Sequence, residues 1–185
     1  GHPARTAAVE ELRSEERGEK DPLVIAGGPC ATFNPEPLCD FVDAFIIGEG
    51  EDTIHRILDV YYLAKQDGLT RDGLLERLAA VPGVYVPRFY SPVYHTDGTI
   101  KSIEHDDRVC AKVQRQWVHN LDDYPAHTVI ATTDTEFNLF LIEVARGCGR
   151  HCRFCMAGYC FREPRNRSLE QITKMLELAK AQDKK

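Results

Sequence analysis

Cys148, Cys152 and Cys155 place three thiols within eight residues, in the pattern C-x3-C-x2-C. Thiolates are the usual ligands of iron–sulfur clusters, and a four-iron cube normally takes four of them. Three ligands leave one iron without a protein donor, and an open position on a metal is where a small molecule can bind and react. Two other readings use the same residues. Cys160 completes a four-thiol set that zinc or a closed four-cysteine cluster can take, for structure or electron transfer. Structural zinc usually draws its ligands as two close pairs on separate turns, whereas here all four crowd into one short loop. As plain core residues the three cysteines would be poor material, set as they are among arginine and glycine. In the open-site reading Cys160 is a buried thiol outside the ligand set.

The surroundings of the loop are basic. From Arg146 to Arg167 there are six arginines (146, 150, 153, 162, 165 and 167) and His151 against the single acid Glu163. Such a run is either a solvated face or a counter-charge to a thiolate site and a receiver of anionic groups. Elsewhere acids dominate, and the net charge of −6 over 185 residues argues against bulk nucleic-acid binding. A hydrophobic content of 43% and a charged content of 28% are those of an ordinary globular protein. No run is long and apolar enough for a membrane span, and no signal-peptide pattern is present. Seven cysteines without a secretion signal point to a reducing, cytoplasmic setting and metal binding.

The elements that must hold the loop can be read from periodicity. Phe137 to Val144 is a strong apolar strand that runs straight into it, and Ser168 to Gln171 is a capping box that opens a helix with Leu169, Ile172, Leu176 and Ala179 on one side. Upstream, Leu23–Ala26 and Ala44–Ile47 are short buried strands, closed by Gly27, Gly28 and Pro29 and by Gly48 to Glu51. Ile54, Ile57, Leu58 and Tyr61 mark one face of a helix from about residue 52 to 65. A second helix starts at a Thr70 cap and carries Leu74, Leu75, Leu78 and Val81. Strand, loop, strand, helix is the rhythm of a parallel α/β sheet. Short strands follow at Val84–Val86, Phe89–His95, Thr99–Glu104 and Gln114–His119, with a hairpin turn at Thr96, Asp97 and Gly98. Residues 3–21 read as a frayed or weakly helical polar lead-in, with Ala7, Ala8, Val9 and Leu12 as their only apolar grouping.

The cysteine loop, with Phe154 just before its last thiol, resembles the signature of the radical S-adenosylmethionine (SAM) enzymes. The resemblance implies a [4Fe-4S] cluster on Cys148, Cys152 and Cys155, and SAM chelated to the fourth iron with its adenine against Phe154. It also implies a low-potential electron donor, whose electron cleaves SAM to methionine and a 5′-deoxyadenosyl radical that attacks an unspecified substrate. Val24 to Pro29 and Asp43 to Glu51 resemble the closing half of the cobalamin-binding (B12-binding-like) α/β domain that precedes the barrel in one large subfamily. There the glycine pair, here Gly27 and Gly28, lets the backbone approach the cofactor's nucleotide tail. The cobalt-ligating histidine of that domain lies upstream of the pair and is not in this sequence. Many members keep the fold without cobalamin.

The resulting expectation is an α/β chain in four parts: a lead-in at 3–21, the C-terminal half of a doubly wound parallel-sheet domain at 22–82, a β-rich connector at 83–136, and the first β-loop-α unit of a radical SAM (partial TIM-type) barrel at 137–185. Cut through both domains, the chain reads as a fragment of a radical SAM enzyme that is inactive alone. The contrasting expectation is a non-catalytic metal-binding module.

Overall fold

The computed structural model describes residues 12–127, 139–161 and 163–181. The chain divides into two compact units, Gly1–Trp117 and Val118–Lys185, and is of mixed α/β type.

In the first unit, β1 (Ile25–Ala26), β2 (Ala44–Ile46) and β3 (Val84–Tyr85) form a sheet in that order. β1 runs parallel to β2, and β3 closes the sheet antiparallel, with Phe45 opposite Tyr85. β2 is wholly buried because both of its faces are covered. Ala44 and Ile46 meet Ile57, Leu74, Leu75 and Leu78 of two helices, α2 (Glu51–Gln66) and α3 (Arg71–Ala79). Phe45 turns the other way, onto Tyr85 and onto Ala31 of the short helix α1 (Pro29–Phe33). That two-residue alternation is the pleat of a strand. The Thr70 hydroxyl accepts from the Gly73 amide 3.3 Å away, which caps α3 as its sequence predicts.

The stripe expected on α2 is met in part. Ile57 is buried, together with Thr53 and Ala64, and Ile54 packs half-buried on the same core, but Leu58 and Tyr61 are exposed. The helix packs on the sheet and α3 through Ile57 and Ala64, with Ile54 and Val60 partly buried against the same core. Gln114 to His119 does not form a strand either. It contributes one bridge, Gln116 against Gly48. Gly48 sits at φ +106°, and a β-carbon there would lie 2.1 Å from the Gln116 carbonyl oxygen, so only glycine permits this contact. The expected hairpin is present as β4 (Tyr90–Tyr94) and β5 (Ile100–His105).

The described part of the polar lead-in holds one short helical turn and one buried charge. Ala7, Ala8 and Val9 lie outside the described residues, but Ser14–Glu16 forms a 3-10 turn, and Arg17 beyond it is buried. Arg17 and Arg71 converge on Asp43, at 3.1 and 2.9 Å. The Asp43 carboxylate also accepts from the Ser14 hydroxyl at 3.0 Å and the Val24 amide at 2.8 Å. Charge pairing, invisible to a count of apolar residues, is what orders this segment.

In the second unit, β6 (Ala145–Arg146) pairs antiparallel with β7 (Arg165–Asn166), followed by α4 (Ala157–Cys160) within the loop between them and α5 (Leu169–Ala181) after it. The long strand expected from Phe137 to Val144 is absent among its described residues. Phe137 and Asn138 lie outside them, and of the rest only Ile142 makes a bridge, to His127. Leu139, Leu141 and Val144 are exposed. A strand needs a laterally bonded neighbour, and the described residues supply this segment with no ladder. On α5 the packed line is Ile172, Met175 and Ala179, and Leu169 and Leu176 face outward. Half of the capping box forms: the Ser168 hydroxyl accepts from the Gln171 amide at 3.2 Å, while the Ser168 amide donates to the Asp122 carboxylate. Asp122 takes the place that the sequence pattern gave to Gln171.

Candidate functional site

The cysteine loop leaves β6 at Gly147 and ends at Phe161 after α4. Its two ends are tied, because the Cys148 amide donates to the Phe161 carbonyl at 2.8 Å. Gly147 permits this closure at φ +94°. A β-carbon there would meet the Phe161 and Glu163 carbonyl oxygens at 2.6 and 2.7 Å. Gly158 does the same from within α4, where a β-carbon would fall 2.1 Å from the Arg150 carbonyl oxygen. The first half of the loop thus lies directly on the helix that follows it. The Cys155 amide closes a turn onto the Cys152 carbonyl at 3.1 Å.

None of the seven cysteines is in a disulfide. Cys148 and Cys155 are half-buried and Cys152 is exposed. The Arg150 amide points at the Cys148 sulfur from 3.4 Å, and such donors to sulfur are among the features that tune iron–sulfur sites. The three thiols share one loop, but no three His, Cys, Asp or Glu side chains converge on a metal-holding geometry among the described residues. Cys160 is buried, 4% exposed. Phe154 is the most exposed large apolar residue among those described, at 93%.

The arginine run divides by role. Arg167 is buried and staples the unit: it donates to the carbonyls of Leu121, Tyr124 and Pro125 and to the Glu143 carboxylate. Arg146 holds the same carboxylate at 2.8 and 3.1 Å. Burial alone would raise the Glu143 carboxyl, but the two guanidiniums outweigh it and hold the group below its ordinary range. Arg165 donates to the Val118 and Glu163 carbonyls. Arg162 lies outside the described residues. Arg150 and Arg153 are exposed on the cysteine loop itself. Nothing in residue type or spacing singles out Arg167 and Glu143 as the staple. It is a contact across 24 positions, seen only once the chain folds.

Gly27 and Gly28 belong to the first unit, exposed at the carboxyl end of β1. Gly28 has φ +93° and open space where a β-carbon would stand, whereas one on Gly27 would touch Ile46 at an ordinary 3.5 Å. A separate cleft of about 590 Å³ in this unit is lined by Glu36, Cys39, Asp40, Arg88, Tyr90 and Tyr94, among others, and by none of the residues singled out from sequence. Its thiol is a weak nucleophile: burial, then the Glu36 and Asp40 carboxylates, push Cys39 above its ordinary value. Burial and a hydrogen bond to Glu36 likewise raise Tyr85. The cleft offers no activated group, and the free thiols of the cysteine loop remain the better candidate.

Residues 6–87 match the family model for the N-terminal region of radical SAM proteins. The chain is also similar to an uncharacterised protein of Methanocaldococcus jannaschii, 28% identical over 174 residues, covering 92% of this chain and 31% of that protein. It therefore spans about a third of the length of this curated relative. No solved structure matches the chain. The family match ends well before Cys148, so it owes nothing to the cysteine loop.

Proposed function

We propose that the chain is the part of a radical SAM enzyme that ligates the cluster, through Cys148, Cys152 and Cys155. One observation carries the reading. Two stretches that share no residue, the family match at 6–87 and the C-x3-C-x2-C loop, point to the same superfamily. The donor set suits the group: three free thiols on a loop tied at both ends, with Cys160 withdrawn into the interior. Ligation asks the three side chains to turn toward a common centre, a local change on a loop whose ends stay fixed.

When bound, a [4Fe-4S] cluster supplies the electron that cleaves SAM to methionine and a 5′-deoxyadenosyl radical. The residues of the chain bind and orient. Phe154 offers an open aromatic face to the adenine. Arg150 and Arg153 set positive charge beside the thiolates and the SAM carboxylate. Arg167, through Glu143, holds the strand that leads into the loop. In the same reading 22–82 is the closing half of a B12-binding-like domain, 83–136 the connector and 137–185 the start of the barrel. The parallel pairing of β1 with β2 supports the first of these, and the open backbone at Gly28 supports a nucleotide-tail approach there. No described helix is long and apolar enough to cross a membrane.

The test is anaerobic reconstitution with iron and sulfide, reduction, and EPR with and without SAM. A four-iron signal that shifts on adding SAM is expected, lost in Cys148→Ala and kept in Cys160→Ala. Loss of the cluster in Cys160→Ala, or one zinc per chain and no cluster, would overturn the proposal.

A further inference from the structure

The cleft of about 590 Å³ in the first unit has the size of a small-molecule site and takes no part in the function proposed above. Three separate stretches of chain wall it, within residues 13–15, 36–40 and 87–94. Its apolar surface comes from rings: Pro87 is buried, Tyr90 and Pro92 are half-buried, and Tyr94 is 56% exposed. The Tyr90 hydroxyl already donates to the Cys110 carbonyl at 2.7 Å, so that ring brings the cleft carbon surface and no free donor. Surfaces of this kind suit the flat body of a ligand and leave its polar end to be fixed by a few placed charges.

The charges decide what that end carries. Both arginines of the lining have counter-ions: Arg13 pairs with Asp40 at 2.7 Å, and Arg88 with Asp72, outside the lining, at 2.6 Å. Among the described residues Glu15 and Glu36 pair with no cation. The Glu36 carboxylate accepts from the Tyr85 hydroxyl through one oxygen, and its second oxygen remains open. Its charge is felt inside the cleft, since burial and then Glu36 push both the Cys39 thiol and the Tyr85 hydroxyl above their ordinary values. An anion would have to draw Arg13 from Asp40 or Arg88 from Asp72, and would still face the two glutamates. We propose that the cleft binds a small organic cation, an amine or guanidine on an aromatic or cyclic body, with its charge at Glu15 and Glu36 and its ring among Tyr90, Tyr94 and the two prolines. The tyrosine rings attract a cation in their own right. The site binds and does no chemistry, because its one thiol is held protonated. It uses no residue of the cysteine loop and stands independently of the function proposed for it.

The experiment is proton–nitrogen correlation NMR of the chain titrated with benzylamine, benzyl alcohol and benzoate, probes of one ring and different charge, with circular dichroism as a control for folding. Benzylamine should move the amides of residues 13–15, 36–40 and 87–94 in a saturable way, benzyl alcohol the same amides more weakly, and benzoate none of them. Glu15→Gln and Glu36→Gln should each weaken the amine by about two- to fivefold, the usual worth of a partly exposed charge pair, and leave the alcohol unchanged. Glutamine at position 36 keeps an acceptor for Tyr85, so the fold is spared. Tyr94→Ser should weaken amine and alcohol alike. Benzylamine without saturable shifts at these amides would overturn the proposal. So would alcohol or benzoate binding as tightly as the amine, a double glutamine variant as tight as the parent, or a Tyr94→Ser variant that binds both probes unchanged.

Discussion

Replacing Asp43 by alanine tests whether a charged hub, more than the short sheet, holds the first unit together. Its carboxylate is wholly buried and accepts from Arg17, Arg71, Ser14 and the Val24 amide at 2.8–3.1 Å. Asp43→Ala leaves two guanidiniums facing each other without their counter-ion, and removing one partner of a buried ion pair costs about 3–5 kcal/mol. Each arginine keeps other acceptors: Arg17 the carbonyls of Leu12 and Phe41, Arg71 those of Gly18 and Asp21. The loss should therefore lie at the lower end, about 3 kcal/mol. With a urea slope of roughly 2 kcal/mol per molar, the midpoint should fall by about 1.5 M. Urea titration followed by far-UV circular dichroism and by the fluorescence of Trp117 measures it. Changing Arg17 and Arg71 to methionine in the Asp43→Leu background should recover most of the loss, because an apolar set of similar volume can replace a buried ionic one. A loss below about 1 kcal/mol, the worth of a surface pair, would refute the hub. So would a triple variant no more stable than Asp43→Ala.

Other outcomes follow from single contacts. Glu143 titrates below its ordinary value, so the stability it gives the second unit is complete above the unfolded carboxyl's pKa of about 4.3 and is lost as pH falls through the lower folded value. Acid titration by circular dichroism should show that step, and Glu143→Gln should remove it. Gly158→Ala forces the Arg150 carbonyl from a 2.1 Å overlap by more than an ångström, so reconstituted iron per chain should fall even though no ligand is touched. Ser168→Ala removes the one capping bond of its hydroxyl to α5 and should cost about 1 kcal/mol in the unfolding of that unit.

How much of this was legible in the sequence depended on the kind of interaction. Local chemistry was readable: the Thr70 cap, the turn between β4 and β5, and the apolar runs that become β1 and β2 all appear where turn residues and periodicity set them. Faces were less so. Leu58 and Tyr61 looked like core on α2, yet the sheet took the side with Thr53 and Ala64, and hydrophobicity alone cannot show that choice. The segment from Leu139 to Val144 has the composition of a strand and not its structure, since composition carries no information about a neighbour. Buried charge was the least legible. Arg17 sits in a stretch that reads as frayed or weakly helical, and Arg167 in a run that reads either as a solvated face or as counter-charge to the thiols, although each is fixed by partners twenty or more positions away.

That last class bears on the cysteine loop. Six arginines near three thiols invite the view that all of them serve the anionic site. The structure divides them: Arg146, Arg165 and Arg167 are spent on Glu143 and on backbone carbonyls, while Arg150 and Arg153 remain exposed on the loop. Among the described residues, Arg150 and Arg153, which flank His151 and Cys152, are the arginines left exposed on the loop, and those at its base supply rigidity. Substitutions should separate the two roles. Arg150→Gln with Arg153→Gln should change how the loop meets an anion while leaving the unfolding of its unit unchanged. Arg167→Gln should lower that unit's stability first and affect the loop only through the loss of its support.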